Sequence, residues 1–340
     1  MKRVLSAVLV VLMLVSLVAI TGCGTKAETL KFGMGVATVY GKSTSADGDT
    51  NGSTEVETTG AAVLVDADGK IVKCVIDTAQ NKATYTSEGK VIANTEFKTK
   101  GEKGANYGMA AYGTDLNGDG TVKEWNEQVA AFIAAIEGKT MDEVKALVVN
   151  GYGNADIQTA GCTIAIADFV TAVEKAVANA VESDATAENT LKLGVVTSEE
   201  AEDATEEKAG SSELATTFTA AVLDQDGKVV VASTDVLAAT IAFDDKGVCT
   251  TDVKAALSTK KEKGDQYGMA AYGADLNGDG VVKEWNEQGA AFDAALVGKT
   301  GTEIAALESE GYGVESVQTA GCTITISDMV KAAVKAATVA

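Results

Sequence analysis

Tyr107-Gly-Met-Ala-Ala-Tyr-Gly-Thr-Asp-Leu-Asn-Gly-Asp-Gly-Thr-Val-Lys-Glu-Trp-Asn-Glu-Gln128 recurs almost residue for residue as Tyr267 to Gln288, and the reading of this stretch decides the fold. Trp125 and Trp285, and further on Cys162 and Cys322, keep the same spacing of 160 residues. Solenoid units are typically about 20 to 50 residues, so a period this long points to duplicated domains. Each copy joins a glycine-rich lead to an Asp-Leu-Asn-Gly-Asp-Gly loop and then to the first turn of an amphipathic helix.

Inside that loop, Asp115, Asn117 and Asp119 place side-chain oxygens at alternate positions, Gly120 permits a sharp turn and Thr121 offers a carbonyl. This is the pattern of a calcium loop, in which the oxygens converge on one point. Asn126 stands where a bidentate Glu is expected and Glu127 lies one place later, so Glu127 would have to reach back. Asp275, Asn277, Asp279, Val281 and Glu287 repeat the arrangement. The competing reading is an Asx- and Gly-rich turn that leads into the Trp125 helix. Calcium, if bound, would be held at the weak affinities of extracellular modules.

Working outward, Trp125, Val129, Phe132, Ile133 and Ile136 form one apolar stripe, and Gly138 ends the helix. Thr140-Met-Asp-Glu143 and Thr300-Gly-Thr-Glu303 have the form of capping boxes. A last helix is expected from Asp168 and from Asp328, with Val170, Val173, Val177 and Val181 as the buried stripe of the first. Upstream, Leu30–Val39 and Leu191–Thr197 read as strands. Asp68-Gly69 and Asp226-Gly227 each sit between β-rich runs, a strong hairpin signal. Weaker strand pairs follow at 83–86 with 90–93 and at 240–243 with 247–250. The polar runs 42–60 and 198–212 are expected as solvated loops, the second strongly acidic. The expected architecture is α+β: two tandem repeats, 24–183 and 184–340, each an antiparallel sheet followed by helices packed on one side.

The chain carries 28 Lys and Arg against 49 Asp and Glu, a net charge of −21, which disfavours a nucleic-acid partner. It has no His, which excludes Ser-His-Asp and Cys-His catalysis and imidazole metal sites. Glu124 and Glu127 flank Trp125 and have the residue types for acid–base work; a solvated helix face is the simpler reading. Lys2 and Arg3 precede an apolar run, Val4 to Ile20, and then Thr21-Gly22-Cys23. This resembles a bacterial lipoprotein signal peptide, 1–22, with Cys23 as the lipidated first mature residue; an uncleaved membrane anchor is the alternative. Either places the body outside the cytoplasm, and the first places it on the outer face of the cell membrane. Cys74, Cys162, Cys249 and Cys322 are even in number, as a disulfide framework requires, yet their contexts read better as buried small hydrophobes.

Ahead of the last helix of each copy stands a small-residue turn ending in Thr: Ala160-Gly161-Cys162-Thr163 and Ala320-Gly321-Cys322-Thr323. A turn of this kind, after a β-rich half and before a C-terminal helix, resembles the bacterial FMN-binding domain family. There a Ser-Gly-Ala-Thr signature contacts or covalently carries the flavin phosphate. The resemblance implies FMN as cofactor and Gly161, Thr163, Gly321 and Thr323 as cofactor-binding residues, with Ala and Cys replacing the family's Ser and Ala. Tyr107, Tyr112 and Trp125 would then stack on the flavin or else fill a core. The Tyr-Gly-Met, Lys-Glu-Trp-x-Glu-Gln and Gly-Lys-Thr segments also resemble lipoproteins of anaerobic Firmicutes sometimes grouped with FMN-binding proteins. That resemblance implies a location more than a function; the FMN-binding resemblance implies a pair of flavin modules in extracytoplasmic electron transfer or flavin capture. The rival expectation is a non-enzymatic surface lipoprotein, a calcium-stabilised scaffold or a binder of a small ligand or partner.

Overall fold

The computed structural model describes residues 28–112, 120, 122–271 and 280–338. The expected signal peptide, Cys23 and the loop residues Asp115, Asn117, Asp119, Thr121, Asp275, Asn277 and Asp279 lie outside these. The chain opens with three long strands, β1 (Thr29–Thr44), β2 (Gly52–Val65) and β3 (Ile71–Tyr85). A helical part follows: α1 (Lys100–Lys103), α2 (Met109–Tyr112), α3 (Trp125–Ile136) and α4 (Met141–Lys145), the two-residue strands β4 (Val148–Val149) and β5 (Tyr152–Gly153), then α5 (Ala155–Thr159) and α6 (Ala167–Ala178). Strands β6 (Val181–Thr186), β7 (Thr190–Glu202), β8 (Gly210–Leu223) and β9 (Val229–Phe243) come next. The remainder comprises α7 (Lys260–Lys263), α8 (Trp285–Leu296), α9 (Gly301–Ala305), β10 (Glu308–Ser309), β11 (Tyr312–Gly313), α10 (Glu315–Thr319) and α11 (Ser327–Ala337).

The fold is mixed α+β with antiparallel sheets, ordered β3-β2-β1-β6 and β7-β8-β9. Side chains alternate across each strand, so each sheet has two apolar faces to bury. Phe32, Met34 and Leu64 of the first sheet pack against Leu191, Val195 and Phe218 of the second. The opposite face of the first sheet, with Val63, Val65 and Ile71, is covered by Trp125, Phe132 and Val173. Leu223 and Val229 of the second sheet are covered by Trp285, Phe292 and Val330. The result is four layers, helices outside and two sheets face to face within.

Glycine makes the helix-on-sheet contact close. A Cβ on Gly33 would lie 2.1 Å from the Ala176 carbonyl oxygen of α6, and one on Gly194 would lie 2.0 Å from that of Ala332 in α11. The expected Asp-Gly hairpins form, with Gly69 and Gly227 at positive φ. In each, an Asp before the turn closes it: Asp66 Oδ1 accepts from the amides of Asp68 and Lys70, and Asp224 Oδ1 from those of Asp226 and Lys228.

Several expectations need correction. The polar runs 42–60 and 198–212 are not loops throughout; they lengthen β1, β2, β7 and β8. Thr54, Val56 and Thr58 alternate with Glu55 and Glu57, so the β-branched residues turn inward. Some of the buried hydroxyls pair with one another, as in Thr59 with Thr78 at 2.8 Å and Thr54 with the Tyr85 hydroxyl at 3.2 Å, while the Thr38 and Thr58 hydroxyls find no partner among the described residues. The acidic run braces the other sheet: Glu199 Oε2 accepts from the Asn94 amide at 2.9 Å and Asp203 Oδ1 from the Val91 amide at 2.8 Å. Val181 is not on the last helix of the first half; α6 stops at Ala178 and Val181 starts β6, where it is exposed. β6 pairs antiparallel with β1 through Lys31–Glu182 and Phe32–Val181, so the boundary expected between 183 and 184 falls inside a strand. Ahead of α6 and α11, Ala165 and Thr325 form single bridges to Tyr152 and Tyr312.

Candidate functional site

The recurring segment and the Ala-Gly-Cys-Thr turn, read separately in the sequence, meet in space. The start of α3 is held by a capping box in which Glu127 Oε2 accepts from the Glu124 amide at 2.8 Å. The Glu124 carboxylate turns the other way and accepts from the amides of Met109 at 2.9 Å and Ala110 at 3.2 Å. Both ends of the loop between Met109 and Glu124 are thus tied together. Gln128, one turn into α3 and buried, extends the tie: its Nε2 donates to the Lys123 carbonyl at 3.0 Å and to Met109 Sδ at 3.3 Å. Its Oε1 accepts from both the amide and the hydroxyl of Thr163, at 2.8 and 3.1 Å. The second half repeats this frame: Glu284 holds the Met269 and Ala270 amides, and Gln288 holds Thr323.

The turn itself is shaped by Gly161 and Gly321, both at φ +103, a conformation that a side chain would strain. A Cβ at Gly161 would also lie 2.0 Å from Lys123 Nζ, which donates to the Ala160 carbonyl at 3.4 Å. Cys162 and Cys322 are fully buried, and burial pushes each thiol up to about 11, so neither is a nucleophile at neutral pH. All four described cysteines are free, three of them buried. Trp125 is 3 % exposed and meets Phe169 edge to face at 5.9 Å, so its ring belongs to the core. Glu124 and Glu127 hold backbone amides at the loop ends, which leaves no acid–base pair at Trp125.

Beside Thr163 lies an open groove of 460 Å³ bordered by Asn150, Tyr152, Asn154 and Gln158. Tyr152 is 46 % exposed, as is Tyr312. A flavin phosphate approaching Thr163 would compete with Gln128 for both of its donors. Of the expected calcium ligands, Glu127 and Glu287 are described and serve the capping boxes, and Val281 is exposed. Among the described residues, no group of three acidic or cysteine side chains converges as a metal site.

A second constellation was missed in the sequence. A cleft of 670 Å³ opens between β1 with α6 on one side and β9, α7 and α8 on the other. Asp235 lies in it, buried, accepting from the amides of Val236 at 2.8 Å and Lys261 at 3.1 Å; burial raises its pKa. Asp77 does the same for the Thr78 and Gly101 amides of the first half, so this pair is a structural cap. Asp293 is different. It is 9 % exposed and its counterpart in the first half is Ile133. Lys261 Nζ, whose counterpart is Gly101, stands 3.6 Å from Asp293 Oδ2 and donates to Ser233 Oγ at 2.9 Å. Burial pushes the Asp293 carboxyl up to about 6, with Lys261 and Thr234 offsetting part of the rise. Setting the two copies side by side, where Ile133 faces Asp293 and Gly101 faces Lys261, is the sequence signal that would have found this group.

Comparison with protein-family models, curated proteins and solved structures gives no match, so the site rests on its own residues.

Proposed function

We propose that this chain is a lipid-anchored binding protein on the outer face of the cell membrane, with calcium closing the recurring loop of each half. In this reading residues 1–22 are removed, Cys23 carries the lipid, and two tandem repeats share one sandwich, dividing in the turn between β6 and β7. The observation that supports calcium is the frame around each loop. Glu124 and Gln128 fix the loop's two ends to each other and to Thr163, and Glu284 and Gln288 do so in the second half. Asp115, Asn117 and Asp119, and Asp275, Asn277 and Asp279, therefore leave from anchored ends, which lowers the entropy cost of gathering their oxygens round an ion. A ligand that binds only the native state raises its melting temperature as ligand concentration increases. Melting the full chain in calcium and in chelator tests this, and equal midpoints would reduce the loop to a turn.

A second reading, FMN binding with electron transfer or flavin capture, is favoured by one feature: the exposed Tyr152 ring borders the groove at Thr163. Ring stacking there would hold an isoalloxazine, and the cofactor itself would supply the redox chemistry. Titrating FMN into the chain and following quenching of flavin fluorescence separates the readings. Unquenched flavin at protein excess excludes this one.

A further inference from the structure

We propose that the cleft between β1 with α6 and β9 with α8 is a binding site for a primary ammonium group on an aliphatic chain, with Asp293 as its counter-ion. Asp293 Oδ1 is buried and makes no hydrogen bond among the described residues, although Asp293 lines the cleft. A buried carboxylate oxygen without a donor is costly, and Ile133 at the corresponding position shows that the fold accepts an apolar residue there. The carboxylate is thus retained against a stabilising alternative.

The other charges of the cleft are already engaged. Glu262 accepts from Lys175 at 2.5 Å, Asp235 holds two backbone amides, and Lys261 is shared between Ser233 and the far oxygen of Asp293. Lys261, at 3.6 Å, compensates Asp293 from one side only. Lys261 faces two buried carboxylates, Asp235 and Asp293, so a neutral donor would fill the hydrogen bond at Oδ1 and leave one negative charge unbalanced; an ammonium supplies both the donors and the charge. The walls define the rest of the ligand. Phe32, Met34, Val231 and Val297 are apolar and suit a run of methylenes, which gains about 0.8 kcal/mol for each CH2 buried.

Isothermal titration of the full chain with three ligands of one length tests the assignment: 5-aminopentan-1-ol, pentane-1,5-diol and 5-hydroxypentanoate. The expected result is saturable heat with the amine alone, at least about tenfold weaker in Asp293→Asn and absent in Asp293→Ile. The Ile variant should fold, because Ile occupies the matching site of the first half, and circular dichroism checks that it does. No saturable heat with the amine, equal binding of the diol, preference for the acid, or amine binding that survives in Asp293→Ile would each overturn the proposal. The comparison of the three ligands on the unaltered chain stands even if a variant misfolds.

Discussion

Lys175 Nζ lies 2.5 Å from Glu262 Oε1 and 2.8 Å from the Val36 carbonyl oxygen, so one ammonium joins α6 to the edge of β1 and to α7 of the other half. Lys335 does the same in reverse, reaching Glu102 Oε1 at 2.5 Å and the Val195 carbonyl at 2.9 Å. The halves are also stitched through the backbone, the Ala46 amide to the Gly247 carbonyl and the Ala204 amide to the Gly89 carbonyl, both at 2.8 Å. Each half closes the other, and the cleft at Asp293 lies along this seam.

The lysine clamps are about a third exposed, so water and salt screen them. A double-mutant cycle on Lys175→Met and Glu262→Gln should give a coupling of about 0.5 to 1 kcal/mol that shrinks in high salt. Urea melts at two ionic strengths provide the check. Zero coupling at low salt would reduce the contact to coincidence.

Tyr85 and Phe243, one from each sheet, stack at 4.4 Å with rings 12° from parallel, and both are fully buried. Tyr85→Ala should lose roughly 3 to 5 kcal/mol of stability. Tyr85→Phe keeps the stack and loses the hydroxyl's bonds with Thr54 and with the Thr44 carbonyl, at about 1 kcal/mol. Chemical denaturation of the two variants distinguishes ring from hydroxyl.

Gln128→Ala would strip the Thr163 amide of its acceptor and should cost about 1 to 3 kcal/mol. Gln128→Glu keeps that acceptor but sets a buried carboxylate oxygen against the Lys123 carbonyl, so at neutral pH it should be the harsher change. Gln288 should behave alike toward Thr323. Thermal melts of the four variants test the ordering.

How much of this was legible is clearest from particular residues. The Asp68-Gly69 and Asp226-Gly227 hairpins, the Thr140 and Thr300 capping boxes and the Trp125 stripe are local, and all form as their spacing implies. The strand character of 52–58 was hidden because Thr and Glu lower the hydropathy there, and only the facing sheet makes Thr54 and Thr58 interior. Gln128 and Thr163 are 35 residues apart, and nothing in either segment announces the other. Asp293 looked like one acid among many, since its burial depends on β9 and Lys261 closing over it.

Asp293 also sets a pH dependence. Its carboxyl is raised from the ordinary 3.8 to about 6, so the native state holds the proton more tightly than the unfolded chain does. Stability associated with this group is therefore full below the unfolded value and falls as pH rises from about 4 to about 6, by on the order of 3 kcal/mol. Asp293→Asn should flatten that part of the stability profile, as read from denaturation midpoints between pH 4 and 7. An unchanged slope would mean that the carboxylate ionises without penalty.

Whether both recurring loops hold calcium is measured most directly by calorimetric titration of the full chain with calcium after chelator removal. Two ions should bind per chain, one lost in Asp115→Ala and both in Asp115→Ala with Asp275→Ala. No binding heat, or heat that persists in the double variant, would contradict this.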